Sequence, residues 1–438
     1  MSYANPKPSH AKHLIVLVGA CVIVFVAIFA FVPHIFSSTY TSPLAAADND
    51  KKKDVAEVVP ELPKKPQVAH IETPTGVKAI YMSQCVSGTP SFRDKLVTLI
   101  DETELNAVII DIKDFTGKLA FTPENPELAS SVSDACGARD MKSFIETLHA
   151  KDIYVIGRIT VFQDPHYTSL HPEFAVKKES DGTVWKDHKG LAFIDVGAEE
   201  YWKYIVDISR SAYEIGFDEL NYDYIRYPSD GNMKDIAFTL SEGKPKAEKL
   251  EEFFSYLHDE LSEPWGDFET VPKLSADLFG YTTTNTDDLG IGQVLERTLP
   301  YFDYVMPMVY PSHYNAGFIN IAKPATSPYE VVHYSMETAA TRAKAMIASV
   351  NSTATTTEVA FLREQVKKGR GHIETSQLRP WLQDFDLGAT YTPEMVRAQM
   401  QATYDAGLDS WALWDAGNTY TRAALKLEDV ASLDTVQQ

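Results

Sequence analysis

The chain has 438 residues, 44% hydrophobic and 23% charged, with a formal net charge of −21 and a pI of about 5.0. Those proportions exclude global disorder, and the length suits one large (β/α)8 barrel with a tail as well as it suits several average domains. The acidity excludes a phosphate-backbone partner, because nucleic-acid binders need a basic face, and it makes a neutral or cationic ligand easier to accommodate. Twenty-two Tyr, 21 Phe and 6 Trp supply the rings that sugar sites stack on pyranose faces, although most such rings serve a core.

Residues 1–13 read as a cytoplasmic N-terminus carrying Lys7 and Lys12. Residues 14–32 follow as an uninterrupted apolar run of 19, long enough to span a bilayer as an uncleaved signal anchor with its basic end inside. Residues 33–73, rich in Ala, Asp, Lys and Pro, read as a flexible linker. The expected location is therefore the cell membrane, single-pass, with the C-terminal domain extracytoplasmic. Of the three cysteines, Cys21 lies in the apolar run. Cys85 and Cys136 each follow an early strand on one face, so a disulfide and two free thiols both fit.

From residue 74 to 425 strand-like apolar runs alternate with helical patterns, the signature of a parallel sheet. Strands are expected at 76–83, 107–111, 153–161, 219–224, 272–280, 302–307, 378–385 and 410–415. Helices are expected at 91–102, 140–151, 199–215, 248–261, 292–298, 328–349 and 393–405, with an inserted mobile loop around 352–357 and 367–371. Residues 426–438 read as a tail. Eight strands favour an α/β fold of the (β/α)8 TIM-barrel type, and no glycine-rich phosphate loop supports a nucleotide fold.

Asp111, Asp223, Asp277 and Asp415 fall at expected strand ends, which converge over one mouth in a barrel. Close, buried carboxylates push the pKa of one of them up, giving an acid beside a charged neighbour, and glycoside hydrolysis needs such a pair. Asp223 and Asp277, on adjacent strands, are the catalytic candidates. Lys113, Arg226, Tyr310, His313, Trp381 and Trp414 join Asp111 and Asp415 as substrate-binding candidates. Arg226 and Arg158 are both suited to pinning carboxylates, and either also fits a structural ion pair, Arg158 more so. No second ligand stands at metal spacing from His313, and no cofactor is expected.

The segments 106–114, 217–228, 275–280, 306–314, 379–385 and 411–414 together resemble a bacterial family of glycoside hydrolases, whose TIM barrel is related to the α-amylase-like glycosidases. The resemblance implies a barrel over most of residues 76–420 and, by analogy, hydrolysis of glycosidic bonds. In α-amylase-like barrels the strand-four Asp is the nucleophile, which falls on Asp223. The strand-five acid/base there is a Glu, whereas this chain has Asp277, one methylene shorter. The expected function is hydrolysis of an envelope or extracellular polysaccharide or oligosaccharide by two carboxylates. Two alternatives are a barrel that binds glycan without cleaving it and a metal-dependent deacetylase.

Overall fold

The computed structural model describes residues 68–427. The expected membrane span, nearly all of the linker and nearly all of the tail lie outside them. Among the described residues no helix is long and apolar enough to cross a membrane.

Eight parallel strands close into a barrel in sequence order: β1 (Lys78–Met82), β2 (Ala107–Lys113), β3 (Tyr154–Thr160), β4 (Glu219–Asp223), β5 (Lys273–Phe279), β6 (Tyr304–Met308), β7 (Trp381–Gln383) and β8 (Trp411–Trp414). Pairing of Lys78 with Trp411 and Ile80 with Leu413 joins β8 back to β1. Side-chain alternation divides each strand between two environments. Ile80, Val108, Ile110, Leu220, Leu274 and Leu413 point outward into the layer under the helices and are fully buried or nearly so. Each such side chain contributes about 1.5–3 kcal/mol of burial free energy. That layer is tight at Gly157, where an added Cβ would lie 2.1 Å from the Ile112 Cδ1 atom.

The inward residues are polar in steps from floor to mouth. Arg379 pairs with Glu219 at 2.8 Å near the floor, with both side chains fully buried. Above them Asn221, the register partner of Arg158, donates to Ser275 at 3.1 Å, and higher still lie Asp223 and Asp277. At the opposite edge, the Asp218 carboxylate accepts from the Ile71 and Val155 amides and bonds His149 at 2.9 Å. Burial pushes the Asp218 pKa up, but hydrogen bonds from His149 and His70 hold it below the usual carboxylate value. Asp218 thus ties the segment leading into the barrel to its base.

Three expectations change. The loop expected around 352–371 contains the helix Thr357–Lys368, which Thr356 caps by accepting from Val359 and whose last turn carries Lys367 and Lys368. Strand β7 shrinks to three residues, because Pro380 has no N–H for the ladder and only offers its carbonyl to Ala412. Between β3 and the helix Glu199–Glu214, residues 161–198 form an excursion beyond the C-terminal end of β3 for which the sequence pattern offers no element. It includes the short helix Pro165–Leu170 and a small apolar cluster of Val176, Trp185 and Phe193. Gly231, at φ 119°, lets the chain pass the Trp185 ring where a Cβ would sit at 2.5 Å. Cys85 and Cys136 form a disulfide with a Cα separation of 4.5 Å.

Candidate active site

Arg158 projects inward from β3 and gathers three carboxyl groups. Its Nη1 donates to Asp111 Oδ1 at 2.7 Å, its Nη2 donates to Asp223 Oδ2, and its Nε lies 3.8 Å from Asp277 Oδ2. Burial opposes the guanidinium charge, but Asp223, Asp111, Tyr81 and Asp277 outweigh it and push the Arg158 pKa well up. The sequence offered Arg226 equally for this role, yet Arg226 pairs with none of these carboxylates. Arg158 falls on the inward face by alternation from Ile156, the one signal that could have singled it out.

The three aspartates are not equivalent. Asp223, at the end of β4, also accepts from the Tyr224 amide at 2.5 Å. Asp277, on β5, accepts at Oδ1 from Asn221 at 2.9 Å and from the indole of Trp381 at 2.7 Å. Burial, then the nearby charge of Asp223, drives the Asp277 pKa well up despite Arg158, Asn221 and Trp381. Both donors occupy Oδ1, which leaves Oδ2, 3.8 Å from the Arg158 Nε, as the oxygen open to carry a proton. Asp111 accepts from Tyr81 at 2.5 Å as well as from Arg158, and burial raises its pKa above the usual value.

Around these groups lies a cavity of about 600 Å3 lined by Arg158, Asp223, Asp277, Trp381, Trp414 and Tyr310, with His313, Arg226, Tyr224 and Phe279 along its walls. Trp414 stacks on Tyr81 with centroids 4.0 Å apart and meets Trp381 edge-on at 88°. Tyr310 and His313 form a perpendicular pair 5.1 Å apart, and burial lowers the His313 pKa, favouring the neutral ring. Gln293 fixes the end of β5 by accepting from Phe279 N and donating to the Asp277 carbonyl.

Of the candidate residues, Asp223, Asp277, Arg226, Tyr310, His313, Trp381 and Trp414 line this cavity, and Asp111 stands behind Arg158. Lys113 does not reach it. The β2 register shifts between Asp111 and Lys113, and the buried Lys113 ammonium is taken up by Asp164 at 2.9 Å and the Thr160 carbonyl at 2.6 Å. Asp415 also lies outside the lining, accepting from Thr419 N at 2.7 Å to shape the turn after β8. Asn221 and Tyr81 were missed, although Asn221 lies midway between Glu219 and Asp223 on one strand face. Among the described residues no group of three or more His, Cys, Asp or Glu could hold a metal ion.

A closed parallel barrel with ring-lined carboxyl groups at the C-terminal ends of its strands has the architecture of barrel enzymes. Residues 79–420 match the family described as "Putative glycosyl hydrolase domain", and the chain belongs to that family. Among solved structures, the glycoside hydrolase domain of PgaB (BpsB) from Bordetella bronchiseptica is 12% identical, covering 81% of this chain and all 100% of that one, with a TM-score of 0.52. A hypothetical protein from Ruminiclostridium thermocellum ATCC 27405 is 30% identical over 48% of this chain and 98% of that one, with a TM-score of 0.40. TtGalA, an α-galactosidase from Thermus thermophilus, is 12% identical over 80% of this chain and 60% of that one, with a TM-score of 0.42. No curated protein sequence matches the chain.

Proposed function

We propose that the chain hydrolyses O-glycosidic bonds of an envelope or extracellular polysaccharide, with Asp277 as general acid and Asp223 as nucleophile or base. The observation that carries this reading is the division of labour around Arg158. Asp277 is driven toward its protonated form while Asp223 accepts from a guanidinium and a backbone amide, the bonding of a carboxylate. Asp277 Oδ2 gives its proton to the departing glycosidic oxygen as the C–O bond breaks. Asp223 meets the developing positive charge at the anomeric carbon, either by direct attack or by deprotonating the water that attacks. Tyr310, Trp381 and Trp414 supply ring faces and edges for the sugar, and Arg158 holds both carboxyl groups in place.

The test is release of reducing ends from a glycan panel. Asp223→Asn and Asp277→Asn should each lower kcat by about 10²–10⁴-fold on a substrate the wild type cleaves. Unchanged turnover in both removes the assignment. The family membership and the PgaB-like barrel support the hydrolase class, while substrate and residue roles rest on the site.

A membrane-anchored, extracytoplasmic placement belongs to the same proposal. It is supported by the apolar run at 14–32 and by the Cys85–Cys136 disulfide, since such bonds persist in oxidising compartments. Protease added outside spheroplasts should digest the domain while sparing a cytoplasmic control. Protection equal to that control would overturn the placement.

A further inference from the structure

Three buried guanidinium groups stand in or under the mouth, and they differ in one respect. Arg158 meets Asp111 and Asp223, and Arg379 meets Glu219. Arg226, only 7% exposed, pairs with no carboxylate among the described residues. Its Nη1 donates to the Tyr227 carbonyl at 3.1 Å and to Ser229 Oγ at 3.2 Å, fixing one edge of the fork. The guanidinium carbon lies 4.8 Å from the Tyr224 ring centroid and 4.6 Å from that of Phe279. All three side chains line the cavity that holds Asp223 and Asp277.

A buried cation without a hydrogen-bonded carboxylate is costly, and two rings with the charges of Asp223, Asp230 and Asp187 nearby compensate only in part. Burial accordingly lowers the Arg226 pKa. The backbone also departs from ordinary geometry to build this wall. Tyr224, directly after Asp223, has φ 52°, a left-handed conformation uncommon for a bulky residue, and its ring packs against the Val176–Trp185–Phe193 cluster of the excursion. Strained backbone, ring support and one tethered edge leave Nε and Nη2 without a protein acceptor among the described residues. A planar two-donor edge of that kind matches a carboxylate.

Resting on the hydrolase reading above, we propose that Arg226 makes this cavity a site for acidic polysaccharide, its free edge binding the carboxylate of a uronate residue beside the scissile bond. The net charge of −21 does not oppose this, because charges more than about 8 Å away are largely screened at physiological salt. Arg226 acts at close range inside the cavity.

The experiment compares uronate-containing polysaccharides with the same polymers after chemical reduction of their carboxyl groups, which keeps linkage and length. Reducing-end release gives kcat and KM, and calorimetric titration with the matching oligosaccharides gives affinity. Wild type should favour the acidic form by about 10- to 100-fold in kcat/KM, mainly through KM. Arg226→Gln should abolish that preference, lowering kcat/KM on the acidic polymer about 10-fold or more beyond any loss on the reduced polymer. Arg226→Lys, which keeps the charge and loses the fork, should restore it only in part. Far-UV circular dichroism checks that both variants fold. Equal handling of acidic and reduced polymers by the wild type, or an equal loss on both in Arg226→Gln, overturns the proposal. Selective binding of the acidic oligosaccharide without bond cleavage would sustain the Arg226 assignment and overturn the hydrolase reading instead.

Discussion

On the proposed mechanism, Asp277 carries opposite consequences for activity and stability. Its pKa in the fold is well above the ordinary carboxylate value, so the stability it contributes is fully present below that ordinary value. That stability is lost as pH rises through the folded value. Asp277→Asn cannot ionise, yet it keeps a carbonyl oxygen for Asn221 and Trp381. The melting temperature of this variant should therefore equal or exceed that of the wild type at pH 8–9, while turnover collapses. Differential scanning calorimetry across pH checks this, and a variant less stable than wild type at every pH would refute it. Asp223 and Asp277 were legible in the sequence because a carboxylate at a strand end has one natural place in a barrel. Lys113 was misplaced because a register shift between Asp111 and Lys113 leaves no mark in composition or spacing. Arg158 was underestimated because its role depends on three partners from three other strands.

At the level of elements, β7 is the shortest strand and still supplies the indole that donates to Asp277. That bond favours the ionised carboxylate, so removing it should raise the Asp277 pKa further. Trp381→Phe should shift the alkaline limb of the kcat profile to higher pH, whereas a merely structural Trp381 would lower kcat without moving the limb. A profile measured from pH 5 to 10 separates the two. The strands themselves were readable, since eight apolar runs with period-two polar breaks can close in few ways. The helix Thr357–Lys368 was not, because its sequence is polar and its Thr356 cap stands in a run of similar residues. The excursion at 161–198 escaped for a related reason: isolated bridges such as Gln163 with Phe193 and Lys177 with Val184 lack the periodicity that marks a strand.

Across the whole molecule, the Cys85–Cys136 disulfide bridges 51 residues and joins the segments that follow β1 and β2. A loop of that length implies about 4 kcal/mol of chain-entropy stabilisation. Cys136→Ser or prior reduction should lower the melting temperature without changing KM, because neither cysteine lines the cavity. A thermal scan with and without reductant, paired with kinetics, provides the check.

Tyr224 extends this reasoning to the choice of stabilising changes. A residue at φ 52° is where replacement by glycine should relieve backbone strain of about 1–3 kcal/mol. The same replacement would remove the ring that backs Arg226 and would loosen the peptide whose amide holds Asp223. It would also give up the ring's packing against the Val176–Trp185–Phe193 cluster, about 1.5–3 kcal/mol, so the relieved strain returns no net stability. Choosing stabilising changes by backbone angle alone would pick this residue wrongly, and a search for better variants has to score substrate selectivity beside heat tolerance.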